Sequence, residues 1–311
     1  MASIKKLLFP VVDYLADTSY WSARQYFRFW LDRDSEQPVL MYSMGKVGSA
    51  AIVYSLQQLD PPLRVMQLHW LHPDNLARDM AFSKRAAKQF AANRGKKFRP
   101  SYIWRGEYYA DKISAPPAPG QRWKVITLVR EPVIRHISGF FQNIESYFGY
   151  DYQSALQTRT EEQVCDELLE LFYQGYGTNK QIDHPDSDPL TWFDIEMKPT
   201  LGIDVYQSAF DPAKGLATYA GPTADLLLIR LESADEVAQA GVREFLQLES
   251  FDLLRSNVAE DKPYAGVYRI FKKRARFSAS YLDEVYSSRY CQHFYSPTEI
   301  QALKEKWSAE R

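Results

Sequence analysis

Short apolar runs that alternate with helix-patterned stretches constrain this chain more than any other feature. Four of them are Val39-Leu40-Met41-Tyr42, Arg64-Val65-Met66-Gln67-Leu68, Lys124-Val125-Ile126-Thr127-Leu128-Val129 and Leu226-Leu227-Leu228-Ile229-Arg230. Near-continuous runs of this kind fit strands covered on both faces, as in a parallel sheet. Helical spacing follows each in turn. Ser49 to Leu59 carries Ile52, Val53, Leu56 and Leu59 on one face, and Asp60-Pro61-Pro62 stops it. Asp74 can cap a helix running to about Asn93. Pro132 takes the first position of another, where its missing N–H costs nothing. That helix has an apolar stripe of Val133, Ile137, Phe140 and Ile144, opposite Glu131, Arg135, Ser138 and Gln142.

The rest is less regular. Residues 94–123 are basic, then Pro-rich, and read as irregular; 160–172 read as an acidic helix and 183–190 as a Pro/Asp loop. A helix is expected from Ser233 to Gln247, and the last 60 residues, aromatic and basic, read as helical. The alternation predicts an α/β fold of three layers, a central mainly parallel sheet flanked by helices, with a helical C-terminal part. Residues 1–36 form an aromatic and basic extension ahead of one α/β domain over 37–311. Ligands of such sheets bind beyond the carboxyl ends of the strands. Gly45–Ser49 lies beyond the first strand, His69 beyond the second and Arg130 beyond the third.

Composition narrows the function classes. The 311 residues carry a formal net charge of -1, so no global field recruits nucleic acid, and any anion site must be local. Cys165 and Cys291 are too few and too far apart for a disulfide framework or a metal knuckle, and fit a reducing compartment. The first twenty residues make a poor secretion signal, because Pro10, Asp13 and Asp17 interrupt a short apolar part. No stretch approaches the ~18 apolar residues of a membrane span, which points to the cytoplasm. The aromatic stretch Tyr20–Trp30, with Arg24, Arg28 and Arg33 beside it, suits a first helix packing on the domain, or peripheral contact with a membrane surface.

The loop Met41-Tyr42-Ser43-Met44-Gly45-Lys46-Val47-Gly48-Ser49-Ala50 carries a lysine, but not where a Walker-A loop has it. Gly45 and Gly48 free the backbone to turn tightly, and the helix starting near Ser49 points unpaired N–H groups at the same place. Lys46 adds a charge, Ser43 and Ser49 add hydroxyls. The bare loop admits two readings, an oxyanion site or an ordinary strand-to-helix turn with a serine cap. No hydroxyl follows the lysine to hold Mg²⁺ in the usual way, so a metal-free anionic donor fits better. Arg130, at the end of a buried strand, and Ser138, eight residues on, can hold a second phosphate. Taken singly, an ion pair with Glu131 or another nearby acid explains Arg130, and a solvated helix position explains Ser138, at least as well.

Taken together, YSMGKVGSAAI and LVREPVIRHIS resemble the two donor-binding elements of the sulfotransferases that use 3′-phosphoadenosine 5′-phosphosulfate (PAPS). The chain is more closely similar to a bacterial branch named for capsular polysaccharide synthesis, through WFDIEMKPTLGIDVYQSAF (192–210), LLLIRLES (226–233) and YLDEVYSSRYCQHFYSPTEI (281–300). The resemblance runs from about residue 38 to 307. It implies a P-loop-like fold whose donor-binding core is about 38–145 and 225–235, with acceptor-side helical segments at 146–224 and 236–311. It implies transfer of a sulfuryl group to an acceptor hydroxyl, of a saccharide or polysaccharide, leaving adenosine 3′,5′-bisphosphate and requiring no metal. The resemblance assigns Lys46 to the bridging oxygen, the loop from Ser43 through Gly45, Val47, Gly48 and Ser49 to Ala50 to the 5′-phosphate, and Arg130 with Ser138 to the 3′-phosphate.

Acceptor activation needs a general base. His69, in RVMQLHWLHP, is similar in position to a family histidine before a Leu-Pro turn, although Trp70-Leu71-His72-Pro73 departs from that turn and makes His72 a rival. Polysaccharide-directed relatives use a glutamate, for which Glu107, Glu196 and Glu232 are candidates. A buried strand-end histidine bonded to backbone is the competing account of His69. Lys262, in NVAEDKPYAGVY, sits where the family has a late basic loop over the donor, but lacks its better-known Arg-Lys-Gly form. Trp192 and Phe193 read as core aromatics, and Lys272-Lys273-Arg274 with Arg276 as a solvated basic face. The rival functions are a P-loop kinase of a small molecule and a non-catalytic capsule-synthesis scaffold.

Overall fold

Five strands build one sheet in the order β2-β1-β3-β5-β4. They are β1 (Val39–Tyr42), β2 (Val65–Leu68), β3 (Trp123–Val129), β4 (Leu216–Ala220) and β5 (Ala224–Arg230). This computed structural model describes residues 20–33, 36–94, 101–115, 120–147, 150–176, 189–254 and 262–309. The first three neighbours pair in parallel, and β4 adds an antiparallel edge to β5. β3 and β5 pair over seven residues each and are buried from the third residue onward. Their apolar runs are continuous because both faces are covered.

The helices follow the strands. α1 (Tyr20–Asp32) precedes β1, α2 (Ser49–Gln57) follows it, and α3 (Pro73–Arg94) and α4 (Ser101–Ser114) separate β2 from β3. Next come α5 (Pro132–Tyr147), α6 (Tyr152–Thr158) and α7 (Glu161–Leu171). A π-helical turn, Phe193–Met197, leads into the short α8 (Lys198–Leu201). After β5 the chain forms α9 (Ala234–Leu246), α10 (Ala265–Arg274), α11 (Ala279–Tyr286), α12 (Arg289–Phe294) and α13 (Pro297–Trp307). Serine side chains cap α11, α12 and α13, and Ser296 with Glu299 forms a full capping box. Phe140 and Phe141 of α5 pack edge-on against Phe172 and Phe271, at 5.1 and 5.0 Å between ring centres, joining the sheet layer to the C-terminal helices.

Two expectations are corrected. The stretch 94–123 is not irregular throughout, because α4 occupies 101–114 and buries Ile103, Trp104, Tyr108, Tyr109 and Ile113. The sheet also has β4, which the reading of four apolar runs omits; it is short and only half-buried. The helix expected over Ser233–Gln247 is α9, with Gln247 in the left-handed conformation that ends it. Residues 183–188 of the Pro/Asp loop and Asn257–Asp261 lie outside the described residues. α1 packs inward through Ala23, Phe27 and Leu31, leaving Trp21 and Phe29 exposed. Among the described residues no helix is long and apolar enough to cross a membrane.

Candidate active site at the carboxyl edge of the sheet

β1 has β2 on one side and β3 on the other, so the chain reverses direction across the sheet at β1. Crevices open at such reversals, beyond the carboxyl ends of the strands. The loop after β1 stands there. Met44 and Val47 are buried and anchor it, while Lys46 and Gly48 both turn into the left-handed region, at φ 68° and 80°. Glycine adopts that conformation freely; lysine does so at a cost of about 1–2 kcal/mol. A Cβ on Gly48 would also stand 2.5 Å from Leu231 Cδ1, just past β5.

Three contacts tie the predicted residues together. The Arg130 guanidinium donates from Nη1 to the carbonyl of Lys46 at 2.9 Å. The Lys46 ammonium donates to Gln142 Oε1, one turn beyond Ser138 on α5. Gln67 Nε2 donates to Ser49 Oγ at 3.1 Å. Ser43 is fully buried, and among the described residues its hydroxyl has no hydrogen-bond partner, a costly state for a polar group unless a ligand or water completes it. Ser138 is half-buried on α5. Lys262 precedes α10 in a turn closed by its own carbonyl; nearby Tyr264 packs on Phe141, and no described contact joins Lys262 to the loop.

His69 Nδ1 lies 2.6 Å from the carbonyl oxygen of Ser43. A carbonyl only accepts, so the proton is on Nδ1, and in the neutral ring Nε2 carries the lone pair. That is the arrangement a general base needs. The backbone around it is held from the π-helical turn Phe193–Met197 and the residue before it. Trp192 Nε1 donates to the His69 carbonyl at 3.2 Å. Glu196 accepts from Leu71 N at 2.8 Å, His72 N at 3.0 Å, Asn75 Nδ2 at 2.6 Å and the Tyr42 hydroxyl. Burial pushes the Glu196 carboxyl upward, and these donors pull it back part of the way. Trp192 and Phe193 are themselves core residues.

The other candidate bases fall in different surroundings. His72 faces Asp74 at 3.9 Å at the start of α3. Glu107 pairs with Arg24 of α1 at 2.7 Å. Glu232 is exposed after β5, and its carboxylate accepts the backbone N–H of Glu131 at 2.8 Å. Glu131 itself does not pair with Arg130. Its buried carboxylate caps α5 through Val133 N and Ile134 N, both at 2.8 Å, and accepts the Tyr286 hydroxyl at 2.6 Å. Burial raises its pKa against those three donors. Of the basic cluster at the end of α10, Arg274 pairs with Asp166 and Lys272 lies over the Tyr268 ring. Among the described residues no three His, Cys, Asp or Glu gather where they could hold a metal ion.

What sequence reasoning missed is the bracing by C-terminal tyrosines. Tyr290 is buried, and its hydroxyl both accepts from Arg130 N and donates to Arg130 O, each at 3.0 Å. It satisfies the two backbone groups of Arg130 where the β3 ladder ends. Tyr286 holds Glu131, and Tyr295 reaches Glu232 at 3.3 Å. The spacing of tyrosines in 286–295 is the only sign of this in the sequence.

Residues 179–296 match the sequence model of the NKWYS family, described as "putative capsular polysaccharide synthesis protein". No curated protein and no solved structure gives a match. The matched span holds Trp192, Glu196, Glu232 and the three bracing tyrosines, and leaves out the loop, His69 and Arg130.

Proposed function

We propose that this protein is a PAPS-dependent O-sulfotransferase acting on a saccharide in capsular polysaccharide synthesis. The observation that carries this reading is the Arg130–Lys46 hydrogen bond at 2.9 Å, which draws the two anion-binding elements into one cluster at the reversal of the sheet. Ser43, whose buried hydroxyl has no partner among the described residues, and the N-terminus of α2 would take the 5′-phosphate. Arg130 and Ser138 would take the 3′-phosphate, with Lys262 an outer cation.

In this mechanism the acceptor hydroxyl lies in line with the bond between sulfur and the bridging oxygen. An acceptor O–S bond forms as that bond breaks, and adenosine 3′,5′-bisphosphate leaves with the bridging oxygen. The acceptor proton passes to His69 Nε2. Lys46 neutralises the charge that develops on the bridging oxygen, so its contribution is made in the transition state.

Thermal-shift titration tests this directly. Adenosine 3′,5′-bisphosphate at a hundred times its Kd should stabilise the fold by about 2.7 kcal/mol. Arg130→Ala should lose that shift, whereas Lys46→Ala should lose turnover more than binding. Stabilisation by ATP with Mg²⁺ and not by the bisphosphate would overturn the proposal in favour of a kinase. Response to neither would favour a scaffold.

A further inference from the structure

α1 carries two apolar faces, and the fold uses one of them. Ala23, Phe27 and Leu31 recur one turn apart and are buried, with Phe27 packed on Trp104 of α4 at 6.0 Å between ring centres. The outer face holds Trp21, Tyr26 and Phe29, which are 69%, 41% and 56% exposed. Phe29 lies nearly opposite the buried stripe. The charges between the two faces are tied to α4. Arg24 bonds Glu107 and Arg28 bonds Asp111, each at 2.7 Å. Asp32, the acid of α1, pairs with Lys112 at 2.8 Å and accepts the Tyr108 hydroxyl at 2.9 Å. Arg33 goes the other way. It is exposed, and its guanidinium carbon stands 5.6 Å from the Phe29 ring centre and 5.2 Å from that of Trp30. Solvent thus meets an aromatic face edged by a cation, a surface of the kind that marks an interaction site.

We propose that the outer face of α1 docks on an anionic lipid bilayer, with the Trp21 and Phe29 rings at the top of the acyl chains, Tyr26 at headgroup level and Arg33 on a lipid phosphate. Indole and phenol rings join an apolar body to a polar tip and concentrate at the boundary between hydrocarbon and water. The acid of the helix is already neutralised by Lys112, so the charge presented with the aromatics is that of Arg33, which complements acidic lipid. Residues 1–19, which precede α1 in sequence, bring Ile4, Leu7, Leu8 and Phe9 beside Lys5 and Lys6, a composition of the same kind. A single convex helix also suits a layer that deforms around it better than a rigid protein surface. The docking face is independent of the donor chemistry but close to the candidate site in the fold. α4, which α1 grips, also packs beside His69, where a Cβ on Gly106 would stand 2.7 Å from the Trp70 carbonyl oxygen. One helix therefore separates the docking face from the segment that carries His69.

The experiment is flotation of the full chain with vesicles of phosphatidylcholine and, separately, of phosphatidylcholine mixed equally with phosphatidylglycerol. The wild-type chain should bind the mixed vesicles about tenfold more tightly than the neutral ones. Trp21→Ser combined with Phe29→Ser should weaken binding to the mixed vesicles about tenfold. The thermal midpoint of that double variant should match wild type, because both side chains lie on the exposed face. Arg33→Gln should reduce the preference for acidic lipid about fivefold. A wild-type chain that floats with neither vesicle, or with both equally, overturns the proposal. Binding that survives the double substitution also overturns it, because another surface would then hold the lipid. Sedimentation equilibrium without lipid covers the rival occupant: a dimer that the double substitution dissociates would make a second copy the partner and overturn the bilayer.

Discussion

Lys46 holds a left-handed backbone conformation that a lysine adopts only under constraint, and this can be measured by comparing two variants. Lys46→Ala and Lys46→Gly both delete the ammonium and its bond to Gln142, so those losses cancel between them. The remaining difference is in the backbone. An L-residue at φ 68° carries about 1–2 kcal/mol of strain that glycine lacks. Against this, glycine gives the unfolded chain extra freedom worth about 0.4–1 kcal/mol. Lys46→Gly should therefore be more stable than Lys46→Ala by about 0.8 kcal/mol, the middle of a range that ends at about 1.6. Urea unfolding followed by fluorescence of the seven tryptophans would give both midpoints. Both variants should be equally impaired in turnover. An alanine variant as stable as the glycine variant, or more so, would refute the strain argument, and with it the idea that the loop is held in a conformation costlier than folding alone requires.

Trp192→Phe removes the indole N–H that holds the His69 carbonyl, and should lower kcat with little change in the apparent affinity for donor. In a His69→Ala background the same substitution should have no further effect on kcat; an additive loss would show that Trp192 does not act through His69. The pH dependence of stability divides by sign. Glu131 has its pKa raised by burial, so the stability it contributes is full below the ordinary carboxylate range and is lost as pH rises through its folded value. The stability of Glu131→Gln relative to wild type should accordingly rise with pH, and a fall would contradict the assignment. Asp225, desolvated but lowered on balance by Lys124 and Arg122, works the other way and loses its contribution on acidification.

The sheet and its carboxyl edge were legible because β1, β3 and β5 are covered on both faces and read as apolar runs, while the half-buried edge strand β2 still carries Val65, Met66 and Leu68. β4 was not: its alternation is weak, and the Gly221-Pro222 turn that joins it to β5 was the clearer signal. α4 was hidden by the basic and Pro-rich segments on either side and by Gly106 in its middle, although Trp104 with Tyr108 and Tyr109 with Ile113 keep helical spacing. The positions of Lys46, His69 and Arg130 followed from strand ends, whereas their partners did not. Gln142, Trp192, Glu196 and Tyr290 lie far along the chain from the groups they hold, and a single sequence gives no measure of such distances.

The strand order also bears on how the chain is made. β3 is the partner of β5 along its whole length, yet about ninety residues separate them in sequence. While those residues are being synthesised, β1, β2 and β3 can pair, but the outer side of β3 remains an open, apolar edge of the type that recruits other chains. The loop after β1 is likewise complete on the ribosome well before Tyr290, which fixes Arg130, has been added. A nascent chain halted between β3 and β5 would thus be the species most prone to aggregate, and the one in greatest need of a chaperone.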